Sequence, residues 1–428
     1  MKAIAPQLES IVSPSSVCSW EDIKSQQERI ARVIAPGTPP SCIVYPNTQA
    51  ELAEVMALAH HGNWRVLPCG SGSKLSWGGL AAAIQVIVST ERLNQVIQHA
   101  VGDLTVTVEA GTKLAELQDI LAKERQFLAL DPTAPKSATM GGIVATSDTG
   151  SWRQGYGGVR DQLLGISFVR ADGQIAKAGG RVVKNVAGYD LMKLLAGSYG
   201  TLGIITQVTF RVYPLPEDSV TVVLTGTAEA IAQASTTLQA SALTPTAADL
   251  LSNQLVARLG IGQGLGLMTR FQSLTESVKE QSTRILAVGQ HLGLQGALYS
   301  ARDEAELWQR LPQIRATTTE PMMTCKIGVI PSQAVTILAQ IGVGLIHAGS
   351  GLGWLRWEDA GMLETVLQMR SLCQAQGGFL TVQEAPVALK QQLDVWGYTG
   401  NALDVMRRIK QQFDPENILS PARFVGGI

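Results

Sequence analysis

The chain has 428 residues, of which 45% are apolar and 16% charged, enough to bury two domain cores and too apolar for large-scale disorder. Its 34 basic and 35 acidic residues sum to a formal charge of -1 without long runs, which leaves no electrostatic footprint for nucleic acid. No apolar stretch approaches the roughly 18 residues of a membrane span, the first twenty residues lack a signal-peptide pattern, and five scattered cysteines without a CxxC pair argue against a disulfide framework, a zinc site or a cysteine-held iron–sulfur cluster. A cytoplasmic chain is the expectation.

The first regular element expected is a strand at 42–45, followed by a helix opened by a capping box of Thr48 and Glu51, with Leu52, Val55, Met56 and Ala59 on one face. A strand at 65–67 runs into the turn Pro68-Cys69-Gly70-Ser71-Gly72-Ser73-Lys74, and a further strand covers 85–89. Between 104 and 110, Val106, Val108 and Ala110 alternate with Thr105, Thr107 and Glu109, as a half-buried strand requires. Gly111-Thr112 caps a helix carrying Leu114, Leu117 and Leu121. From 131 to 158 periodicity fails and Gly, Ser, Thr and Pro dominate, so this reads as a long loop, and long loops inside compact domains are usually functional. Regularity returns with a strand at 164–169, the turn Ala171-Asp172-Gly173, a helix N-capped by Asp190 and a strand at 203–212. Pro214 and Pro216 mark a domain boundary.

Two glycine-rich stretches carry the chemistry. In Gly70-Ser71-Gly72-Ser73, consecutive backbone N–H groups can converge on pyrophosphate oxygens, with small side chains permitting close approach. It is not a Walker A loop, because Ser73 and Leu75 flank Lys74, and it lacks the third glycine of a Rossmann turn, where Leu75 stands. The series Gly260, Gly262, Gly264, Gly266 misses the same spacing. A plain structural turn is the alternative. The second stretch, Ala138-Thr139-Met140-Gly141-Gly142-Ile143-Val144-Ala145-Thr146, shifts the balance, since two separated loops of small residues can clasp an extended dinucleotide from both sides.

With Thr107-Val108-Glu109-Ala110-Gly111, Asp131-Pro132, Gly203-Ile204-Ile205-Thr206 and the run from Val183 to Leu191 continuing through Gly197 to Gly203, these stretches resemble the PCMH-type FAD-binding flavoproteins, also called the vanillyl-alcohol oxidase family. The likeness covers about 36 to 216 and is similar to the E-subunit branch of the glycolate dehydrogenases. It implies an α+β fold: a PCMH-type FAD-binding domain of two α+β subdomains, then an α+β, ferredoxin-like cap domain with an antiparallel sheet. The implied division is an extension at 1–35, the FAD domain at 36–216, the cap at 217–400, and a tail at 401–428 returning to the FAD domain. Carried over by position, the cofactor contacts are Pro68, Gly70, Ser71, Gly72, Ser73, Lys74, Leu75, Pro132, Thr139, Met140, Gly141, Gly142, Thr146, Gly203 and Ile205. Cys69 to Lys74 contains no His, so the FAD is expected to be non-covalent. Lys184 and Asp190 read as surface or capping residues, and no catalytic residue is assigned.

Catalytic relatives in this family resemble one another in a His-x-Gly-Asp-Gly-Asn-x-His segment and a later Gly-Glu-His segment that hold a divalent metal. Here the first segment reads His347-Ala348-Gly349-Ser350-Gly351-Leu352-Gly353-Trp354, and Glu384 stands where the later His would be. With most ligands replaced, no metal is expected, and His347 reads as a hydrogen-bonded core histidine, as bland as His60, His61, His99 and His291. The resemblance then implies an FAD-bearing oxidoreductase subunit for a small 2-hydroxy acid, with a metal-containing paralogous flavoprotein and an iron–sulfur subunit as partners and any membrane association peripheral. The alternatives are a self-sufficient metal-free dehydrogenase, with Arg356 anchoring a substrate carboxylate, and a non-catalytic structural paralogue.

Overall fold

A computed structural model describes residues 4–181, 189–316, 322–358 and 362–428. Most of the resemblance-bearing run at 183–191, including Lys184, lies outside the described residues. The chain divides into two compact units, one of 1–149, 158–214 and 390–428, the other of 150–157 and 215–389.

The first unit contains two main sheets. In the four-stranded one, Cys42–Val44, Val86–Ser89 and Val66–Cys69 run parallel and almost wholly buried, with Val17–Ser19 added antiparallel at one edge. The helix Gln49–His61 buries Leu52, Val55, Met56 and Ala59, the face its 3.6-residue periodicity marks. Thr48 Oγ1 accepts from the Glu51 amide at 3.1 Å, whereas Glu51 Oε2 reaches back one residue beyond the cap, to the amide of Asn47. The second sheet is five-stranded and antiparallel, in the order Val96–Ala100, Thr105–Glu109, Ile204–Arg211, Leu163–Val169, Ile175–Gly179. Gln49 Nε2 joins the helix to this sheet, donating to Ser167 Oγ and Thr206 Oγ1.

The C-terminal segment completes this unit. Val66 N–H donates to Ile418 carbonyl and Ser420 N–H to Val66 carbonyl, so residues 418–420 run beside the strand that feeds the first glycine turn. Lys410, on the helix Leu403–Phe413, is buried and donates to Asp414 Oδ2 at 2.6 Å and to the carbonyls of Thr201 and Leu419. Asp414 in turn accepts from the amides of Ile418 and Leu419. A buried charge pair saturated in this way fixes the course of the chain after the helix.

The second unit is an eight-stranded antiparallel sheet in the order Gln295–Ser300, Asp218–Gly226, Leu265–Ser273, Ala247–Leu251, Val343–His347, Leu352–Trp357, Met323–Gly328, Phe379–Glu384. The helices Ala228–Ala240, Asn253–Leu259, Thr275–His291, Ala301–Ala316 and Met362–Ala375 belong to the same unit. Gly260, at φ 65°, is the left-handed stop of Asn253–Leu259, so the glycine series begins as a helix cap.

Two expectations are corrected. The stretch 131–158 is not irregular throughout: Met140–Thr146 is helical, burying Met140, Gly141, Ile143 and Val144. Apolar side chains spaced by three and four make a helical face even where glycine lowers propensity. Asp190 is no helix cap. The short helix Met192–Leu195 starts after Leu191, and Asp190 pairs at the surface with Lys193 at 2.5 Å.

Candidate FAD site

Within the first unit, the two glycine stretches line one crevice. Pro68, Gly70, Gly72, Ser73, Lys74, Leu75, Thr139, Gly141, Gly142, Thr146, Gly203 and Ile205 all line it. Three other expected residues do not. Ser71 faces a neighbouring depression with Arg29 and Tyr45, Met140 is buried in the core, and Pro132 is not among the lining residues. Residues that the sequence reading missed complete the wall, among them Thr90, Ala145, Tyr199, Gly200, Ile204 and Arg423. Gly200 was visible within the Gly197 to Gly203 run; Arg423 carried no local signal.

The shape of this cavity depends on absent side chains. A Cβ on Gly70 would lie 2.1 Å from Thr139 Oγ1, and one on Gly141 2.7 Å from the Cβ of Ala110, so the two stretches meet across a gap that only glycine keeps open. Gly72 adopts φ 74° and Arg29, from the N-terminal helix Lys24–Ala31, donates to the carbonyl of Ser71, holding the turn from outside. The second stretch is anchored by its own first amides: Met140 N–H donates to Thr112 carbonyl and Gly141 N–H to Ala110 carbonyl. The next amide, of Gly142, donates to no group among the described residues, and neither do the amides of Gly70, Ser71, Gly72 and Ser73. Unsatisfied amides beside a crevice are groups that a pyrophosphate can neutralise.

Charge favours the same ligand. The wall carries two cations, Lys74 and Arg423, and no Asp or Glu. Lys74 is paired with Asp148 at 3.3 Å, with both side chains almost fully buried. Asp148 also accepts from the amide and hydroxyl of Thr133. The first turn, the helix Met140–Thr146 and the Asp131-Pro132 region are thereby tied at one point. Burial pushes the Cys69 thiol up to about 11, so it stays neutral at physiological pH and supplies no thiolate. The residues therefore fit a dinucleotide whose phosphates seek amides and cations and whose rings seek an apolar slot.

In the second unit, the segment that begins at His347 is packed against protein. His347 ends the strand Val343–His347, and its Nδ1 lies 2.6 Å from Asp249 Oδ1, with both groups buried. Trp354 belongs to an apolar cluster with Leu251, Leu255, Val343 and Leu345. No cluster of three or more His, Cys, Asp or Glu side chains suited to a metal occurs among the described residues. Arg356 cannot serve as an open carboxylate anchor: it is 1% exposed, donates to the carbonyl of Ile314 and pairs with Glu358 at 2.9 Å. A guanidinium engaged on these groups has no exposed face for a substrate.

Residues 40–179 match the FAD binding domain model, and residues 390–424 match the C-terminal domain of the FAD linked oxidases. The chain is 24% identical to glycolate oxidase subunit GlcD of Bacillus subtilis, over 90% of this chain and 88% of that one. It is 27% identical to D-lactate dehydrogenase of Archaeoglobus fulgidus, over 90% and 91%. Among solved structures, p-cresol methylhydroxylase superposes with a TM-score of 0.76 over 98% of this chain and 96% of that one, at 15% identity, and shares the fold. No helix among the described residues is long and apolar enough to cross a membrane. The cavity and the two matched models support FAD as the cofactor, in a chain similar to the PCMH-type FAD-binding oxidoreductases.

Proposed function

We propose that the chain is the FAD-bearing subunit of a glycolate or related 2-hydroxy acid dehydrogenase complex, holding its flavin non-covalently in the cytoplasm. The observation that carries this reading is the contrast between a glycine crevice built for FAD and a metal segment filled by Ser350, Leu352 and Trp354. In this reading Gly70, Ser73, Gly142 and Thr139 hold the cofactor at the crevice, Ile205 and Tyr199 bound its apolar part, and the Lys74–Asp148 pair fixes the three segments around it. Bound FAD supplies a two-electron acceptor. Substrate oxidation takes place on a metal-containing paralogous flavoprotein, and an iron–sulfur subunit carries electrons onward, with membrane contact only through these partners. The domain division belongs to the same proposal, with 150–157 passing from the FAD domain at 36–216 to the cap and 390–400 from the cap at 217–400 to the FAD domain, as the two compact units divide.

One observation favours a second reading, a self-sufficient metal-free dehydrogenase: His347 is held by Asp249, which fixes the ring orientation, the arrangement general bases require. The visible spectrum of the purified chain, before and after glycolate is added, separates the two. Flavin bands that persist with glycolate support the subunit reading, bleaching by glycolate alone overturns it, and a colourless protein that stays colourless in excess FAD overturns both.

A further inference from the structure

Arg423 stands out among the charged groups of the FAD cavity. It reaches the site from the C-terminal segment, more than 340 residues after the first glycine turn. Its backbone is fixed by two contacts to its carbonyl, from the Gly79 amide at 3.0 Å and from Trp396 Nε1 at 3.2 Å. Trp396 in turn packs edge-on against Tyr199 and Phe424, with ring centroids 4.9 and 5.0 Å away. The side chain is almost fully buried, and its Nη2 donates to the carbonyl of Leu75 at 2.6 Å. Nη1 is also buried but has no hydrogen-bond partner among the described residues.

Among the described residues no carboxylate pairs with this guanidinium. Lys74, the other cation of the wall, has Asp148; Arg423 has only a neutral carbonyl. Tyr199 and Cys69 are its titratable neighbours, and burial holds the Cys69 thiol at about 11, neutral near pH 7. Burial lowers the guanidinium to about 10, which still leaves it charged at physiological pH. An unpaired buried cation is a large cost unless an anion arrives. The cavity it lines is the one fitted to FAD, a ligand with two sources of negative charge: its pyrophosphate, and its ring system once two electrons and one proton have been taken up.

We propose that Arg423 is a cofactor-binding residue whose unpartnered Nη1 meets an anionic group of bound FAD, so that the C-terminal segment supplies the counter-charge of the site. This inference rests on the FAD site described above. It assigns the C-terminal segment an electrostatic role toward the cofactor in addition to its packing role beside the first turn.

The test uses the full chain as wild type, Arg423→Met, Arg423→Gln and Arg423→Lys, stripped of flavin and titrated with FAD and with ADP, which carries a diphosphate without the flavin. Gln keeps a donor for the Leu75 carbonyl, so it reports on charge if the Met variant does not fold. Loss of a charge-assisted hydrogen bond should weaken ligand binding roughly tenfold or more. If the pyrophosphate is the partner, FAD and ADP affinities fall together and Lys restores much of both. If the reduced ring is the partner, ADP affinity holds while the potential of bound FAD, measured against a reference dye, falls by about 30 mV per tenfold loss of preference for the reduced form. Folded Met and Gln variants with wild-type FAD affinity and wild-type potential would overturn the inference. A wild-type chain that does not bind FAD would instead overturn the site itself.

Discussion

The two units handle their polar groups in opposite ways. In the first, the amides of Gly70, Ser71, Gly72, Ser73 and Gly142 have no partner among the described residues, and glycine keeps a gap open between facing segments. In the second, the corresponding density of Gly at 349–353 is closed by protein: a Cβ on Gly353 would meet the Leu345 carbonyl at 2.0 Å, and one on Gly351 the Val329 carbonyl at 1.8 Å. The same residue type thus serves a ligand in one place and strand packing in the other. What separates them is whether the space spared by the missing side chain is refilled by the chain itself. His347 shows the same rule in polar form, since Asp249 already occupies its Nδ1.

The comparison breaks most easily at Lys74. Lys74→Met leaves Asp148 charged and buried, and should cost about 3–5 kcal/mol of stability, read as a lower denaturation midpoint of the FAD unit with loss of bound flavin. An unchanged midpoint would mean the pair does not hold the three segments together. Next comes Gly111→Ala, whose Cβ would sit 2.1 Å from the Thr90 carbonyl and 2.7 Å from that of Leu93. Backbone cannot yield as a flexible side chain does, so a loss of about 2–3 kcal/mol is expected from thermal or denaturant melting. His347→Ala tests the other unit. It leaves Asp249 buried without its partner, a cost of about 1–3 kcal/mol, and the purified variant should remain yellow. A colourless variant would show that the pair serves the flavin site.

A gentler probe is Cys69. With the thiol raised to about 11, the thiolate fraction at pH 7 is very small and grows as pH rises toward that value, so alkylation should be slow near neutrality, accelerate with pH, and slow again on adding FAD. Rapid labelling at pH 7 that FAD does not affect would place Cys69 outside the cofactor cavity. The smallest effect should come from Glu28→Ala, which removes an exposed i,i+4 pair with Arg32. A change of about 0.5 kcal/mol or less is expected, and a larger one would show that the helix carrying Arg29 supports the first turn more strongly than its exposure suggests.

The sequence-legible elements are those whose pattern is local. The helix at 49–61, the strand at 105–109 and the turn at 70–73 announce themselves by periodicity and by small residues in series. The helix at 140–146 was masked by its own glycines, because the signal that marks a ligand loop is also the signal that argues against a helix. Asp190 was misread as a cap for a comparable reason: an acidic residue before an apolar run looks the same whether its carboxylate accepts an amide or meets Lys193.

Sequence alone determined that two glycine-rich stretches exist, that neither follows Walker or Rossmann spacing, that no His stands in the first, and that Ser350, Leu352 and Trp354 follow His347. These are properties of neighbouring residues, and neighbours in the chain are all that spacing can report. Tertiary structure alone decided which residues share a wall. It brought Arg423 beside Leu75, Asp148 beside Lys74 and Asp249 beside His347, pairings separated in the chain by 348, 74 and 98 residues. A buried charge is specified by what folding packs around it, and no window of sequence contains that information.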